Sequence, residues 1–271
     1  APPPAPVEEE QPAAAEPAAL DEVDGDPRPG RGRLGSFLVE RPTSPVAFHR
    51  AFDAVLFDFA GVVVASPYPA LAGMAASVGL DGGDVLDLTV GPQHRDTDHP
   101  FHRLERGEIS PAQYDEELAV RLEGARAPIT YDVIRNAFAG LDVNEVVIEY
   151  LEELRADGYR TALISNNFRD IAFHWKQMLP LHQLFDLVID SSAYGIRKPN
   201  PAIYRLALDK LGGIQPQRSV YVDDGLGNVE GARSIGMHGV HVVRDPGFAL
   251  RQIDTLLGRS TAGGEELDPE A

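Results

Sequence analysis

Apolar runs alternate with amphipathic segments through most of the chain, and this alternation constrains the fold more than any other feature. The runs are rich in Val, Leu and Ile, and the segments between them space their apolar residues as helices do. Such alternation predicts an α/β fold, in which a parallel sheet carries helices on both faces. The predicted strands cover residues 54–57, 160–164, 187–190, 219–222 and 239–243. Helices are predicted at residues 143–156 and 201–211.

The interval 66–142 departs from this alternation and is mainly helical in pattern. The helical patterns cover residues 68–78, 111–122 and 131–139. A polar stretch, residues 94–103, lies between them. Ligands of parallel α/β sheets bind at the carboxyl ends of the strands. We therefore predict that residues 66–142 form a helical cap, inserted after the first strand and folded over this edge of the sheet.

The two ends of the chain are acidic and poor in apolar residues. Residues 1–48 predict a disordered, Pro- and Ala-rich tail with a lead-in to the core, and residues 258–271 predict a flexible acidic tail. The chain has 24 Lys and Arg against 42 Asp and Glu, which gives a net charge of −18. This balance argues against nucleic acid and anionic membranes as partners.

Three further absences bear on redox chemistry and location. Without cysteine the chain has no disulfide framework, no thiolate metal site and no cysteine nucleophile. No apolar stretch approaches the roughly eighteen residues that a membrane span needs. The first residues show neither the basic start nor the apolar segment of a signal peptide. We expect a cytoplasmic protein, and the sequence leaves its oligomeric state open.

Carboxylates follow two of the predicted strands. Asp58 ends the run Ala54–Phe57, and Asp223 and Asp224 end the run that begins at Ser219. A buried carboxylate is costly unless it is paired or binds a metal. Since parallel strands end at one edge, we expect one acidic site built from distant parts of the chain. The alternative is that each Asp simply caps the helix that follows.

Two further polar groups follow strands in the same order. Ser165 ends the second predicted strand and can bind an anion together with nearby backbone N–H groups, or can cap the next helix. Lys198 lies in a Pro-bounded turn and can supply a fixed positive charge, or can be a surface lysine. Taken together, a nucleophile, an anion site, a cation and metal ligands are the groups that phosphoryl transfer requires.

At these positions the chain resembles the haloacid dehalogenase superfamily. The matching segments are residues 55–62, 163–167, 197–199 and 221–224, and the resemblance covers about residues 50–250. Within the superfamily, residues 99–110 and 228–237 are most similar to bacterial relatives of the phosphatase domain of soluble epoxide hydrolase. The resemblance implies a Rossmannoid core, formed by residues 49–65 and 143–257, with residues 66–142 as its cap.

The resemblance also implies a role for each matching residue. Asp58 is expected to attack phosphorus and form an aspartyl-phosphate. Lys198 is expected to pair with Asp58 and the phosphate, while Ser165 and the backbone amide of Asn166 bind phosphoryl oxygens. The expected cofactor is Mg²⁺, for which oxygen ligands are suited. Its expected ligands are Asp58, the carbonyl of Ala60, Asp223 and, directly or through water, Asp224.

Ala60 departs from the pattern of most phosphatases in this superfamily. They have a second Asp at this position, which protonates the leaving group and then activates water. Alanine can do neither, although the subgroup named above often has a small residue here. General acid–base catalysis typically contributes about 10²–10⁴ in rate. A cap histidine, His94, His99 or His102, can replace the missing acid, or can be a polar loop residue.

The sequence therefore predicts a Mg²⁺-dependent hydrolase of a small phosphate monoester. One alternative is a haloacid dehalogenase, in which the same Asp attacks carbon without a metal; the adjacent Asp223 and Asp224 favour the metal enzyme. A second alternative is a catalytically weak phospho-ligand-binding or regulatory module, which Ala60 and the acidic tails suggest. A phosphomutase is less favoured because it needs the acid that Ala60 lacks.

Overall fold

The computed structural model describes residues 50–74, 79–123, 129–170, 177–243 and 245–259. The predicted disorder of residues 1–48 lies outside them, as does nearly all of the predicted flexible tail. Gly258 and Arg259 are the two tail residues that are described: Gly258 ends the last helix with φ +67, and Arg259 pairs with Glu153. Within the described residues, no helix combines the length and apolarity that a membrane crossing requires.

The core is a five-stranded, fully parallel sheet, as predicted. Its order is β3-β2-β1-β4-β5, so the first strand lies at the centre. The strands are β1 Ala54–Phe57, β2 Arg160–Ser165, β3 Leu187–Asp190, β4 Ser219–Asp223 and β5 His238–His241. β5 begins and ends earlier than predicted because its pairing with β4 runs from His238 to His241, and Val243 beyond it is 73% exposed.

Alternate residues of the strands supply the two faces of the sheet. In β1, Val55 and Phe57 join one buried cluster, and Ala54 and Leu56 join another. Both clusters also contain helix side chains, so both faces are covered, which is why the strands are apolar throughout. The described helices of the core are α6 Glu145–Ala156, α7 Leu181–Leu184, α8 Ser191–Tyr194, α9 Pro201–Lys210, α10 Leu226–Arg233 and α11 Pro246–Leu257, with a 3₁₀ turn at Pro216–Arg218.

Helix α6 starts two residues later than the pattern predicts. Val143 forms a bridge with Val64 instead of a helical turn, and Asn144 precedes the first helical residue. The side chain of Asn144 donates to the carbonyl of Val62 at 2.6 Å. These contacts tie the start of α6 to the chain segment after β1.

The interval 66–142, which we call the cap segment, contains five described helices. They are α1 Tyr68–Gly73, α2 Gly82–Thr89, α3 Pro100–Glu105, α4 Pro111–Arg121 and α5 Tyr131–Ala137. Their buried side chains form a hydrophobic cluster separate from the two sheet clusters. Phe168, which follows β2, is the core residue that joins this cluster. The predicted helix at 68–78 ends at Gly73, and residues 75–78 lie outside the description. The domain boundaries themselves stay a prediction.

Candidate active site

The register of the sheet places the functional strand ends side by side. Phe57, the last residue of β1, pairs with Leu163 of β2 on one side and Val222 of β4 on the other. The residues that follow, Asp58 and Asp223, are therefore neighbours at the carboxyl edge. This is the edge at which open parallel sheets bind ligands.

The structure brings the three predicted carboxylates together. Asp58, Asp223 and Asp224 each offer one oxygen, and these oxygens all lie within 4.8 Å of one another. Lys198 lies between two of them, with Nζ 2.6 Å from Asp58 Oδ1 and 2.9 Å from Asp223 Oδ2. Asp58 is 8% exposed, and Asp223 and Lys198 are fully or almost fully buried.

Burial and mutual repulsion govern the ionisation of this cluster. The pKa of Asp58 is raised well above its ordinary value, first by burial and then by the charge of Asp223. The same two causes raise the pKa of Asp224 to about 7. Burial acts to lower the pKa of Lys198, but Asp223 and Asp58 outweigh it and raise that pKa. The site holds more negative charge than its single lysine can neutralise, so a cation is favoured there.

Asp223 and Asp224 have different hydrogen-bonding surroundings. Both oxygens of Asp223 already accept from protein donors, which are Lys198 Nζ, Tyr221 Oη, Gly225 N and Asn228 Nδ2. Asp224 accepts from Ser66 and packs on Gly61. A Cβ on Gly61, whose φ is +87, would lie 1.9 Å from Asp224 Oδ2. Glycine is therefore required for Asp224 to approach the end of β1.

The residues present fit a Mg²⁺ ion. Their donor atoms are carboxylate oxygens, which are hard ligands. Next to Asp223, the buried Oδ1 of Asn228 has no hydrogen-bond partner among the described residues. A buried acceptor without a donor is costly unless water or an ion satisfies it. The sequence does not predict a role for Asn228, because its amide reaches Asp223 only in the folded protein.

Ser165 and Asn166 lie beside the lysine turn. Ser165 is the last residue of β2 and is 3% exposed. The side chain of Asn166 holds the backbone of Lys198 at two points: Oδ1 accepts from Lys198 N at 2.8 Å, and Nδ2 donates to Lys198 O at 3.2 Å. This contact of the Asn166 side chain was not predicted from the sequence, which assigned only its backbone amide.

The three cap histidines have different surroundings. His102 Nδ1 accepts from the backbone N–H of Thr97, and His99 Nε2 lies 3.2 Å from the carbonyl of Leu88. Burial lowers the pKa of His99 to about 4 and that of His102 to about 3, so both rings are neutral at pH 7. The backbone of His94 lies against Gly227, three residues after Asp224.

The match to a known family extends over most of this site and fold. The haloacid dehalogenase-like hydrolase family matches residues 52–236, and the chain belongs to it. This confirms the resemblance drawn from the strand-end motifs. A hydrolase with a cluster of carboxylates at the carboxyl edge of a parallel sheet is thus the class that fold and site define.

Curated relatives match over limited parts of their own lengths. The chain is 31% identical to mouse (Mus musculus) acyl-CoA dehydrogenase family member 10, over 77% of the chain and 19% of that protein. It is 29% identical to rat (Rattus norvegicus) bifunctional epoxide hydrolase 2, over 77% of the chain and 39% of that protein. A glyceraldehyde 3-phosphate phosphatase of Methanopyrus kandleri is 33% identical, over 40% of the chain and 46% of that protein. The chain thus spans less than half of each of these relatives.

Solved structures share the fold. A dehalogenase crystallised with an intermediate complex superimposes with a TM-score of 0.56 at 21% identity, over 79% of this chain and 100% of that chain. A haloacid dehalogenase family enzyme from Bacteroides thetaiotaomicron in complex with magnesium has a TM-score of 0.51 at 20% identity, over 74% of this chain and 100% of that chain. At these identities the likeness establishes the fold alone.

Proposed function

We propose that the protein is a Mg²⁺-dependent phosphatase that hydrolyses a small phosphate monoester through an aspartyl-phosphate. The observation that carries the proposal is the cluster itself: Asp58 lies beside two further carboxylates and 2.6 Å from a buried lysine. The phosphatase and the magnesium complex among its relatives support it. We further propose a cytoplasmic protein whose partner is its phosphorylated substrate, without nucleic acid or membrane.

Asp58 is the proposed nucleophile. Its Oδ1 accepts from the backbone N–H of Phe59 at 2.6 Å and from Lys198, which orients the carboxylate and leaves Oδ2 for attack on phosphorus. Lys198 then compensates charge on the transferred group as a point cation. Ser165 and the backbone amide of Asn166 bind the phosphoryl oxygens at the end of β2.

Asp58, Asp224 and the carbonyl of Ala60 are the proposed direct ligands of Mg²⁺. Asp223 is proposed to act from one step further out, because its two oxygens already serve four donors in the protein. When bound, the ion supplies positive charge that reduces repulsion between Asp58 and the phosphate. Asn228 Oδ1 is an acceptor for water held in this site.

A dehalogenase remains the second candidate, because a dehalogenase shares the fold. Its reaction needs a nucleophilic Asp and no metal. The pair Asp223 and Asp224, with Asp224 raised to a pKa of about 7 by burial and by Asp223, favours a site that binds a cation. A catalytically weak binding module, suggested by Ala60, is the third.

The test is a screen of the purified protein against aryl, acyl, anomeric and alkyl phosphates, with Mg²⁺ and with chelator. Chloride release from 2-haloacids is measured in parallel. The proposal predicts phosphate release that needs Mg²⁺ and is lost with chelator. Halide release that persists in chelator would instead identify a dehalogenase. Phosphate binding without turnover of any substrate would identify the binding module.

A further inference from the structure

Residues 93–105 of the cap segment, here called the edge segment, contact the core at three places on the active edge. Gln93, Arg95 and Glu105 bond to Arg197, and the Glu105 carbonyl also bonds to Ser191. The backbone of His94 packs on Gly227 so closely that a Cβ added to Gly227 would lie 2.4 Å from the Cα of His94. The edge segment therefore lies across the strand ends that carry the site.

Arg197 is the centre of these contacts. It is fully buried, and its Nε donates to Glu105 Oε2 at 2.6 Å. Its Nη1 donates to the carbonyl of Arg95 at 3.3 Å, and its Nη2 to Gln93 Oε1 at 3.5 Å. One guanidinium thus joins three groups of the edge segment, a fork geometry that lysine cannot reproduce.

Glu105 is held at two points. Its carboxylate bonds to Arg197, and its backbone carbonyl accepts from Ser191 Oγ at 2.6 Å. Ser191 Oγ in turn accepts from the backbone N–H of Asn167, just after β2. Glu105 is 3% exposed, so neither contact is replaced by water. The end of α3 is therefore fixed to the core next to the anion-binding strand end.

Arg197 directly precedes Lys198 in the chain. Asn166 holds the Lys198 backbone from the core side, and the edge segment holds Arg197 from the cap side. The Lys198 ammonium must stay within hydrogen-bonding distance of both Asp58 and Asp223. A displacement of about 1 Å at a reacting group can reduce rate about 10²-fold.

We propose that Arg197 is a positioning residue, which aligns Lys198 with Asp58 only while Glu105 of the cap segment holds its guanidinium. The inference rests on the proposed function and adds to it a coupling between cap and chemistry. Arg197 does not bind phosphate in this account, because its charge is already paired with Glu105. Lys198 is then aligned with Asp58 only when the edge segment is bound to the core.

The first test compares Glu105→Gln and Arg197→Lys with Tyr131→Phe. The control removes another cap–core hydrogen bond, from Tyr131 Oη to Asp170 at 2.6 Å, which involves neither Arg197 nor Lys198. We expect kcat to fall about 10- to 100-fold in the first two variants, on aryl and alkyl phosphates alike, with a smaller change in KM. We expect the control to keep kcat within about twofold. An equal fall in all three variants, or none in the first two, overturns the inference.

A second variant separates alignment from folding. Glu105→Gln leaves a buried guanidinium without its carboxylate, which can unfold a protein. The double variant Glu105→Leu/Arg197→Met removes both charges, an exchange that stability tolerates well. We expect it to fold, with a melting temperature near that of the wild type and a kcat as low as that of Glu105→Gln. Wild-type kcat in the folded double variant would overturn the inference.

Binding of inorganic phosphate in the presence of Mg²⁺, measured by calorimetry, does not depend on turnover. We expect Glu105→Gln to weaken it about tenfold, and to cause no further loss on a Lys198→Ala background. A merely structural role gives the same loss on both backgrounds and overturns the inference. If the wild type binds phosphate but hydrolyses no monoester, the proposed function fails. The phosphate affinities of Glu105→Gln on the two backgrounds then decide the inference alone. If the wild type binds no phosphate, both fail.

Discussion

At the scale of single residues, Asp223 and Asp224 are adjacent but do different work in this account. Both oxygens of Asp223 accept from protein donors, which lie in β4, the turn after it and helix α10 and include Lys198. Asp224 lies against Gly61 at the end of β1. The sequence predicted both residues in one metal site, with Asp223 as a direct ligand and Asp224 as a ligand directly or through water. It did not predict the donors around Asp223, because folding alone brings them close.

Substitution of the two residues should therefore have different effects on Mg²⁺ dependence and on kcat. We predict that Asp224→Asn raises the Mg²⁺ concentration for half-maximal activity at least tenfold, because a charged hard ligand is lost. Asp223→Asn should lower kcat with a smaller change in that Mg²⁺ concentration, because it disturbs Lys198. The measurement is a Mg²⁺ titration of activity and melting temperature for both variants. The reverse ranking would place Asp223 directly on the ion.

The alanine at position 60 should determine how the rate depends on the leaving group. Without an acid near the leaving oxygen, kcat/KM should fall steeply as the leaving-group pKa rises, so that aryl phosphates react faster than alkyl phosphates. Ala60→Asp should gain most on alkyl phosphates, by no more than about 10²–10⁴. The measurement is kcat/KM against leaving-group pKa for both proteins. A flat dependence in the unmodified protein would show that another group already donates the proton.

At the scale of elements, strand patterns predicted the sheet well and contacts between elements poorly. All five strands were predicted, because buried parallel strands are apolar throughout. Helix α6 and strand β5 were shifted because bridge and ladder pairing, which a one-dimensional pattern does not contain, sets their ends. The Arg197–Glu105 pair joins residues 92 positions apart and left no periodic trace.

Helix α10 lies close to the edge segment, and glycine-to-alanine variants test this contact. A glycine in a helix normally costs about 0.5–1 kcal/mol relative to alanine. Gly73→Ala, with nothing within 4 Å of the new Cβ, should be neutral or stabilising by up to about that amount. Gly227→Ala should destabilise by about 1–3 kcal/mol, because its Cβ would overlap the His94 backbone. Both are measured by urea unfolding. Equal stabilisation would show that the edge segment does not lie on α10.

At the scale of the whole molecule, the cap histidines link stability to pH. The pKa of His102 is lowered to about 3 by burial first and then by Arg197, His99 and Arg106. The unfolded chain therefore binds the proton more readily than the folded chain below about pH 6.5. Stability from this group is present above that pH and is lost as the pH falls towards the folded-state pKa.

We predict that His102→Gln reduces this pH dependence. Its melting temperature should fall less than that of the wild type between about pH 7 and pH 5, although it can be lower throughout. Glutamine keeps an acceptor for the Thr97 N–H, which His102 Nδ1 now accepts at 3.1 Å. The measurement is the difference between the two melting curves across pH, which cancels the carboxylates common to both proteins. Parallel curves would show that His102 is already protonated in the folded state or is exposed.

Across the whole molecule, the sequence predicted which strand ends meet better than it predicted what covers them. Asp58, Asp223, Asp224 and Lys198 follow from the rule that parallel strands end at one edge. The cap segment has no such rule, because its helices are placed by packing around Phe168 and by the ion pair at Glu105. We expect the cap segment to determine which substrate binds, and its packing leaves no periodic pattern in the sequence.

If phosphoryl groups pass through Asp58, enzyme quenched with acid during turnover carries them on this residue. Enzyme mixed with a substrate phosphate and Mg²⁺ is quenched during turnover, digested and analysed by mass spectrometry. We predict a peptide containing Asp58 that carries one phosphoryl group, and neither this peptide nor turnover in a folded Asp58→Asn variant. Turnover that continues in Asp58→Asn, or a phosphoryl group on any other residue, would contradict the account.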